Sequence, residues 1–197
     1  MTPQDLAAFE DSIAAEFNAG EIPYPVHLES GNEQQLIDIF RDVKPDDWVM
    51  GTWRLHLKAL LKGVPPDELR AAIRCGESMA LRFPEHRVYG SAIAGGIIPV
   101  ALGTAMAIKR RGGGERVWLF IGDMMFESGI FFEAIKYAQN WNLPLSVVVE
   151  DNEVSVCTRT REVWGLEATH SNPSVEVIQY RYRSKYPHAG AGKRVQF

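Results

Sequence analysis

Apolar positions in the first half of the chain recur at helical spacing, and in the second half they collect into continuous runs. Thr2-Pro3-Gln4-Asp5 offers a capping threonine followed by proline at a first helical position, and the periodic pattern continues to Phe17. A helix is therefore expected over residues 2–17, ended by "GEIPYP". A second short helix is expected at 31–41. "KPDDWVMGTWRLH" reads as a connector into a helix that closes at Leu61, before Lys62-Gly63, and "PPDELRAAI" opens another. "GGIIPVALGTAMAIKRR" is a helix rich in small residues, which let a second backbone approach closely. "RVWLFIGD" and "NLPLSVVVEDN" are runs with no polar alternation, as expected of strands covered on both faces. Between them "SGIFFEAIKYAQNW" has helical periodicity, and "VIQYRYR" is a further strand. Strand, helix, strand at this spacing is a parallel crossover. The pattern predicts one α/β domain over residues 1–197, with a mostly parallel sheet and helices on both faces.

Ligands of such sheets bind beyond the carboxyl ends of the strands. Asp123 follows the first long strand directly, behind Gly122, and Asn152 follows the second. A hard divalent cation takes oxygen ligands, and Mg²⁺ combines one or two protein groups with phosphate oxygens. A helix beginning just after Asp123 would turn backbone N–H groups toward a phosphate. A magnesium-diphosphate site at adjacent strand ends accounts for this acid and amide. Spacing alone equally allows both residues to do no more than cap their turns.

Composition narrows the classes. A length of 197 residues suffices for one domain with a substantial core. A formal charge of −4 gives no global signal for nucleic acid or a membrane surface. No apolar run reaches the roughly 18 residues that cross a bilayer, and the acidic amphipathic start is unlike a signal peptide. Cys75 and Cys157 fit no metal spacing and read as reduced thiols. A cytoplasmic protein is expected.

Gly122-Asp123 through to Asp151-Asn152 resembles the thiamine diphosphate signature, glycine-aspartate-glycine to asparagine-asparagine. Further segments are similar to the alpha subunit of the decarboxylating component of 2-oxo acid dehydrogenases. These are "YPVHLESGNEQ", "DWVMGTWRLH", "CGESM", "YGSAIAGGIIPVALGTAMA" and "VIQYRYRSKYPHAG", so the resemblance spans residues 20–195. It implies thiamine diphosphate and Mg²⁺ as cofactors. Asp123, the Asn152 side chain and the Val154 carbonyl would hold the metal. Gly122 would allow the tight turn, and Met124 and Met125 would follow it along the cofactor. Arg54 would hold the diphosphate, as a guanidinium fork suits phosphate oxygens. Trp53 would stand beside it, and the Ala92 carbonyl and Ala94 N–H would hold the aminopyrimidine. His27 and His56 match histidines near the diphosphate and the substrate mouth, and are the candidate catalytic residues.

The sequence departs from that pattern in several places. Met124 replaces the second glycine, so its side chain should point away from the phosphates. Asp151 replaces the first asparagine, and Trp53 a tyrosine. Only "GLEATHSNP" stands between Trp164 and Ser174, where the family carries a mobile loop that docks an acyl-carrier protein. The glutamate that activates the cofactor ring belongs, in the family, to a pyrimidine-binding half on another chain or domain. Glu29, Glu33, Glu127, Glu133 and Glu150 are then expected at the surface or behind the site. The expected assembly is an alpha2beta2 heterotetramer with such a partner chain, acting on a small molecule without nucleic acid or membrane. Two alternatives stay open: a split transketolase-like subunit moving a ketol unit, and a non-catalytic binding or scaffold subunit.

Overall fold

The computed structural model describes residues 1–156, 158–165 and 177–188. Helix α1 (Pro3–Asn18) begins as the sequence implies. The Thr2 side chain accepts from the Asp5 N–H and the Asp5 carboxylate accepts from the Thr2 N–H, a reciprocal capping box. Helix α2 (Glu33–Phe40) follows, and then strand β1 (Trp48–Gly51), in the segment expected to be a connector. That expectation is corrected: β1 lies at the centre of the sheet. After it come α3 (His56–Leu61), α4 (Pro66–Arg74), the short strand β2 (Arg82–Phe83), a single 3₁₀ turn, and β3 (Val88–Gly90).

The second half is the predicted crossover with an extra turn in it. Helix α5 (Ile97–Arg110) leads to β4 (Val117–Gly122). A one-turn helix, α6 (Asp123–Phe126), then precedes α7 (Gly129–Asn140), so the long helix starts six residues later than Asp123. Strand β5 (Leu145–Asp151) is buried along its whole length. A hairpin of β6 (Val154–Ser155) and β7 (Thr158–Arg159), the short α8 (Thr160–Trp164) and β8 (Val177–Arg181) complete the described elements. Cys157 and the segment from 166 to 176 lie outside the described residues, so the expectations about that thiol and the shortened loop do too. Cys75 is a free, exposed thiol.

The main sheet has the order β2-β3-β1-β4-β5-β8, parallel except for β2 against β3. Strand alternation divides its side chains between two cores. Val49, Trp118, Phe120 and Val148 pack with the apolar faces of α1 to α4. Met50, Leu119, Ile121, Val147 and Val149 pack with α5 and α7 on the other face. Burying each such side chain stabilises the fold by about 1.5–3 kcal/mol. The chain leaves β1 toward β3 on one side and returns to β4 on the other. The carboxyl ends of β1 and β4 therefore flank a topological switch point, where doubly wound sheets open a crevice. Gly31, at φ +91°, lies so near β8's exit that a Cβ would stand 2.2 Å from the Arg183 carbonyl oxygen. Only glycine fits there, and the segment carrying His27 to Asn32 is thereby pinned against the end of the sheet.

Candidate functional site

Register brings the expected residues to one edge. Gly51 pairs with Phe120, Gly122 with Glu150, and Asp151 with Arg181, so the residues that leave these parallel strands emerge side by side. A small cleft there is lined by Trp53, Arg54, Gly122, Asp123, Met124, Met125, Asn152 and Val154, with Thr52, Glu150 and Tyr182 among the rest of its wall. Asn152 and Val154 come to the same wall because the chain bends after β5. Glu153 takes a left-handed φ of +66°, while Asp151 Oδ1 accepts from the Glu153 N–H at 2.9 Å.

Asp123 is 3% exposed, and its Oδ2 has no hydrogen-bond partner among the described residues. Its pKa is pushed up to about 6, chiefly by burial. The Thr160 hydroxyl and the backbone N–H groups of Asp123 and Met124 pull it down, while the Asp151 carboxylate pushes it further up. An acid whose charge is costly and whose oxygen is unmatched suits a bound cation. Among the described residues the Asn152 Oδ1 accepts from the Val154 N–H, at 3.3 Å, which leaves its second lone pair able to bind a cation. The next acid, Asp151, is not free in this way: Arg181 Nε donates to its Oδ2 at 3.2 Å, and Arg161 lies 3.9 Å away.

Gly122 corrects one expectation. Its φ of −81° and ψ of +166° are ordinary extended backbone, so no tight turn requires glycine. A Cβ at Gly122 would meet nothing within 4 Å. The missing side chain leaves open space at the strand end, beside Asp123, that a ligand can fill. Met124 lines the cleft, and its thioether accepts from Trp164 Nε1 at 2.9 Å, which turns the side chain toward α8.

Arg54 and the histidines form the other wall. Arg54 Nε donates to the Leu28 carbonyl at 3.2 Å, and its Nη2 donates to His188 Nδ1 at 3.4 Å. His27 stacks on His188 with ring centroids 4.3 Å apart, and Trp53 closes the group at 5.9 Å from each. Burial, with His188 and Arg54 nearby, lowers the His27 pKa to about 3; burial and Arg54 lower that of His188 to about 4. Both imidazoles are neutral at pH 7. His188 was not singled out among the expected site residues, although its segment carried part of the resemblance. His56 lies apart from this group. It is fully buried, with Nδ1 3.1 Å from Glu10 Oε1 and Nε2 3.0 Å from Ser78 Oγ, and is absent from the cleft wall. Ala92 and Ala94 stand in the exposed turn that precedes α5.

A polar network lies beneath the cleft; Glu29 and Glu150 were expected at the surface or behind the site, but Lys58, Asn32 and Tyr180 were not singled out. Lys58 is fully buried and donates to Glu29, to Glu150 Oε2 at 2.8 Å and to the Arg54 carbonyl at 3.2 Å. Asn32 Nδ2 donates to Glu29 at 3.0 Å and to Glu150 at 3.3 Å, and the Tyr180 hydroxyl donates to Glu150 at 2.7 Å. Burial pushes the Glu29 pKa up to about 7, against the pull of Lys58. Glu29 and Glu150 are thus not surface groups, whereas Glu133 is exposed and Glu33 folds back to accept from the Gly31 N–H at 2.9 Å.

A larger cavity, about 570 Å³, opens at the opposite end of β4 and β5 around Lys109, Gly112 and Arg116. It gathers no carboxylate, and Lys109 is already engaged by the carbonyls of Trp141 and Asn142. Size therefore does not mark the candidate site; the convergence of Arg54, Asp123 and Asn152 on one cleft does.

A family model described as the dehydrogenase E1 component matches residues 1–174. The chain belongs to the dehydrogenase E1 component family. Relatives agree with this membership. The alpha subunit of an acetoin:2,6-dichlorophenolindophenol oxidoreductase from Cupriavidus necator is 33% identical over 154 residues, 73% of this chain and 46% of that protein. A chloroplastic pyruvate dehydrogenase E1 component subunit alpha-3 from Oryza sativa is 35% identical over 163 residues, 73% of this chain and 38% of that protein. Its counterpart in Arabidopsis thaliana is 30% identical over 192 residues, covering 86% and 45%. This E1-family chain spans less than half the length of these relatives.

Proposed function

We propose that this chain is the diphosphate-binding subunit of a two-chain thiamine diphosphate enzyme that decarboxylates a 2-oxo acid and transfers the resulting unit. The observation that carries the proposal is the convergence of Arg54, Asp123 and Asn152 on one cleft at the switch point, with a buried Asp123 oxygen left unmatched. Family membership supports it, as do the alpha subunits of pyruvate dehydrogenase and acetoin oxidoreductase among the relatives.

In this reading Asp123, the Asn152 side chain and the Val154 carbonyl hold Mg²⁺, which ties the diphosphate to the strand ends. Arg54 donates to a phosphate oxygen, its guanidinium held in place by the Leu28 carbonyl and His188. The Ala92 carbonyl and Ala94 N–H receive the aminopyrimidine. Thiamine diphosphate, when bound, supplies the electron sink that lets a 2-oxo acid lose carbon dioxide. His27 and His188, neutral at pH 7, can hold or pass a proton at their ring nitrogens near the substrate mouth. The activating glutamate comes from a partner chain with the pyrimidine-binding half, in an alpha2beta2 assembly that works in the cytoplasm. No described helix is long and apolar enough to cross a membrane.

Calorimetric titration of the chain with its partner tests this, using thiamine diphosphate with and without Mg²⁺. Magnesium-dependent binding is expected, followed by turnover of 2-oxo acids. Equal affinity in excess chelator would remove the metal assignment. Turnover of ketose phosphates in place of 2-oxo acids would replace decarboxylation by ketol transfer.

A further inference from the structure

The buried lysine beneath the cleft has more partners than a core ion pair needs, and each leads to the site. Lys58 Nζ holds Glu29, Glu150 and the carbonyl of Arg54. Glu29 adjoins Leu28, whose carbonyl orients the Arg54 guanidinium. Glu150 is itself part of the cleft wall and sits opposite Gly122 in the sheet register. One ammonium thus joins three segments far apart in sequence: the stretch before α2, the start of α3 and the end of β5. It also cancels one of two carboxylate charges beneath a cleft that would receive a polyanion.

The geometry points to Lys58 as a positioning residue of the diphosphate cradle, fixing the Arg54 backbone relative to the end of β5 and masking Glu150 from the incoming phosphates. This rests on the cofactor-site reading above. Physical cost argues against a purely structural role. A buried ion cluster is replaced by apolar side chains of similar volume with little loss, and often with a gain, of stability. A fold that needed only cohesion here would not need an ammonium fully withdrawn from water. An apolar side chain could fill the volume, but it could not grip the Arg54 carbonyl and Glu150 together.

The test is a double variant, Lys58→Met with Glu29→Leu. It removes the lysine together with one of its two carboxylate partners, so that Glu150 is left without an added buried cation or a second acid. The full chain, together with its partner chain, is compared with wild type by thermal melting, by calorimetric titration with thiamine diphosphate and Mg²⁺, and by amide hydrogen exchange. The expected result is a melting temperature near that of wild type, with affinity weakened roughly tenfold to a hundredfold, the range for one lost charge-assisted hydrogen bond. Exchange should rise locally at residues 52–56 and 150–152. Wild-type affinity together with unchanged local exchange would overturn the proposal. If wild type binds no cofactor, the cofactor reading fails by itself, and the exchange comparison alone decides the positioning role. Should the double variant not fold, Lys58→Arg carries the test, since it keeps the charge but not the single-atom, three-way contact. Weakened binding or faster local exchange in that variant supports the proposal, and wild-type behaviour in both overturns it.

Discussion

Asp47 and Asp123 are both buried aspartates at the ends of central strands, and the molecule treats them in opposite ways. Asp47, before β1, accepts from the Arg116 N–H at 2.8 Å, from Trp118 Nε1 at 3.0 Å and from the Lys44 N–H at 3.0 Å. It ties the amino-terminal ends of β1 and β4 together. Asp123, just past the carboxyl end of β4, keeps one oxygen unmatched among the described residues. A buried carboxylate with its donors in place is a fold device; one at a cleft with an oxygen left over is a candidate for binding. The same sheet thus shows where stability is secured and where it is conceded.

The largest effect expected from this contrast is on binding. Asp123→Ala should abolish magnesium-dependent binding of thiamine diphosphate while the melting temperature holds or rises, because a poorly compensated buried charge is gone. Titration calorimetry beside a thermal melt checks both halves, and a variant that binds as wild type does would break the comparison.

Asp47→Ala should do the reverse. Stranding three donors, at about 1–3 kcal/mol each when buried, should cost about 3 kcal/mol or more. That corresponds to a fall in Tm of roughly 10 °C for a chain of this size. Whatever remains folded should keep its cofactor affinity. Denaturant titration gives the first quantity and calorimetry below the transition the second.

Arg54→Ala sharpens the contrast at the site alone. Affinity for the diphosphate should weaken by about 1.5–3 kcal/mol, the value of a hydrogen bond to a charged group, with a small change in Tm because Arg54 is only half-buried. An Arg54 variant with unchanged affinity for inorganic pyrophosphate would show that the cradle is built elsewhere.

The effect that is smallest near neutral pH is in the pH dependence of stability. The pKa of His27 is depressed to about 3 in the folded chain, against about 6.5 when unfolded. Below pH 6.5 the unfolded chain takes up a proton that the folded one refuses. Stability should therefore fall from pH 6.5 toward pH 3, by at most about 1.4 kcal/mol per pH unit from this group, with no contribution above pH 7. His27→Gln should flatten that part of the profile. A wild-type and variant pair with parallel profiles between pH 6.5 and 4 would show that His27 is not held neutral by its surroundings.

The crossover was legible because β4 and β5 are long, continuously apolar and separated by a strongly periodic helix, so pattern and tertiary role agree. Strand β1 was not: it has four residues, between Asp46-Asp47 and Thr52-Trp53, and only the strands on either side of it make Trp48–Gly51 a strand. β2 and β3 are shorter still. At the site, Asp123 and Asn152 stood out because strand ends announce themselves. Lys58 did not, because its partners lie 29 and 92 residues away, and a lysine in "RLHLKALLKG" looks solvent-facing. The buried setting of His56 was hidden for the same reason. A histidine beside a candidate phosphate ligand is indistinguishable in sequence from one buried against Glu10, whose carboxylate comes from α1.

The alternation along β5 has a consequence for anyone lengthening or shortening this chain. Glu150 shares a face with Val148 and meets Lys58, while Asp151 shares the other with Val149 and meets Arg181. Deleting one residue within β5 would exchange these neighbours, turning each carboxylate away from its cation and each valine toward the wrong core. Grafts and insertional tags should therefore fail inside Leu145–Asp151, and they belong in exposed turns such as Gly112-Gly113-Gly114, which can grow without changing any strand's parity.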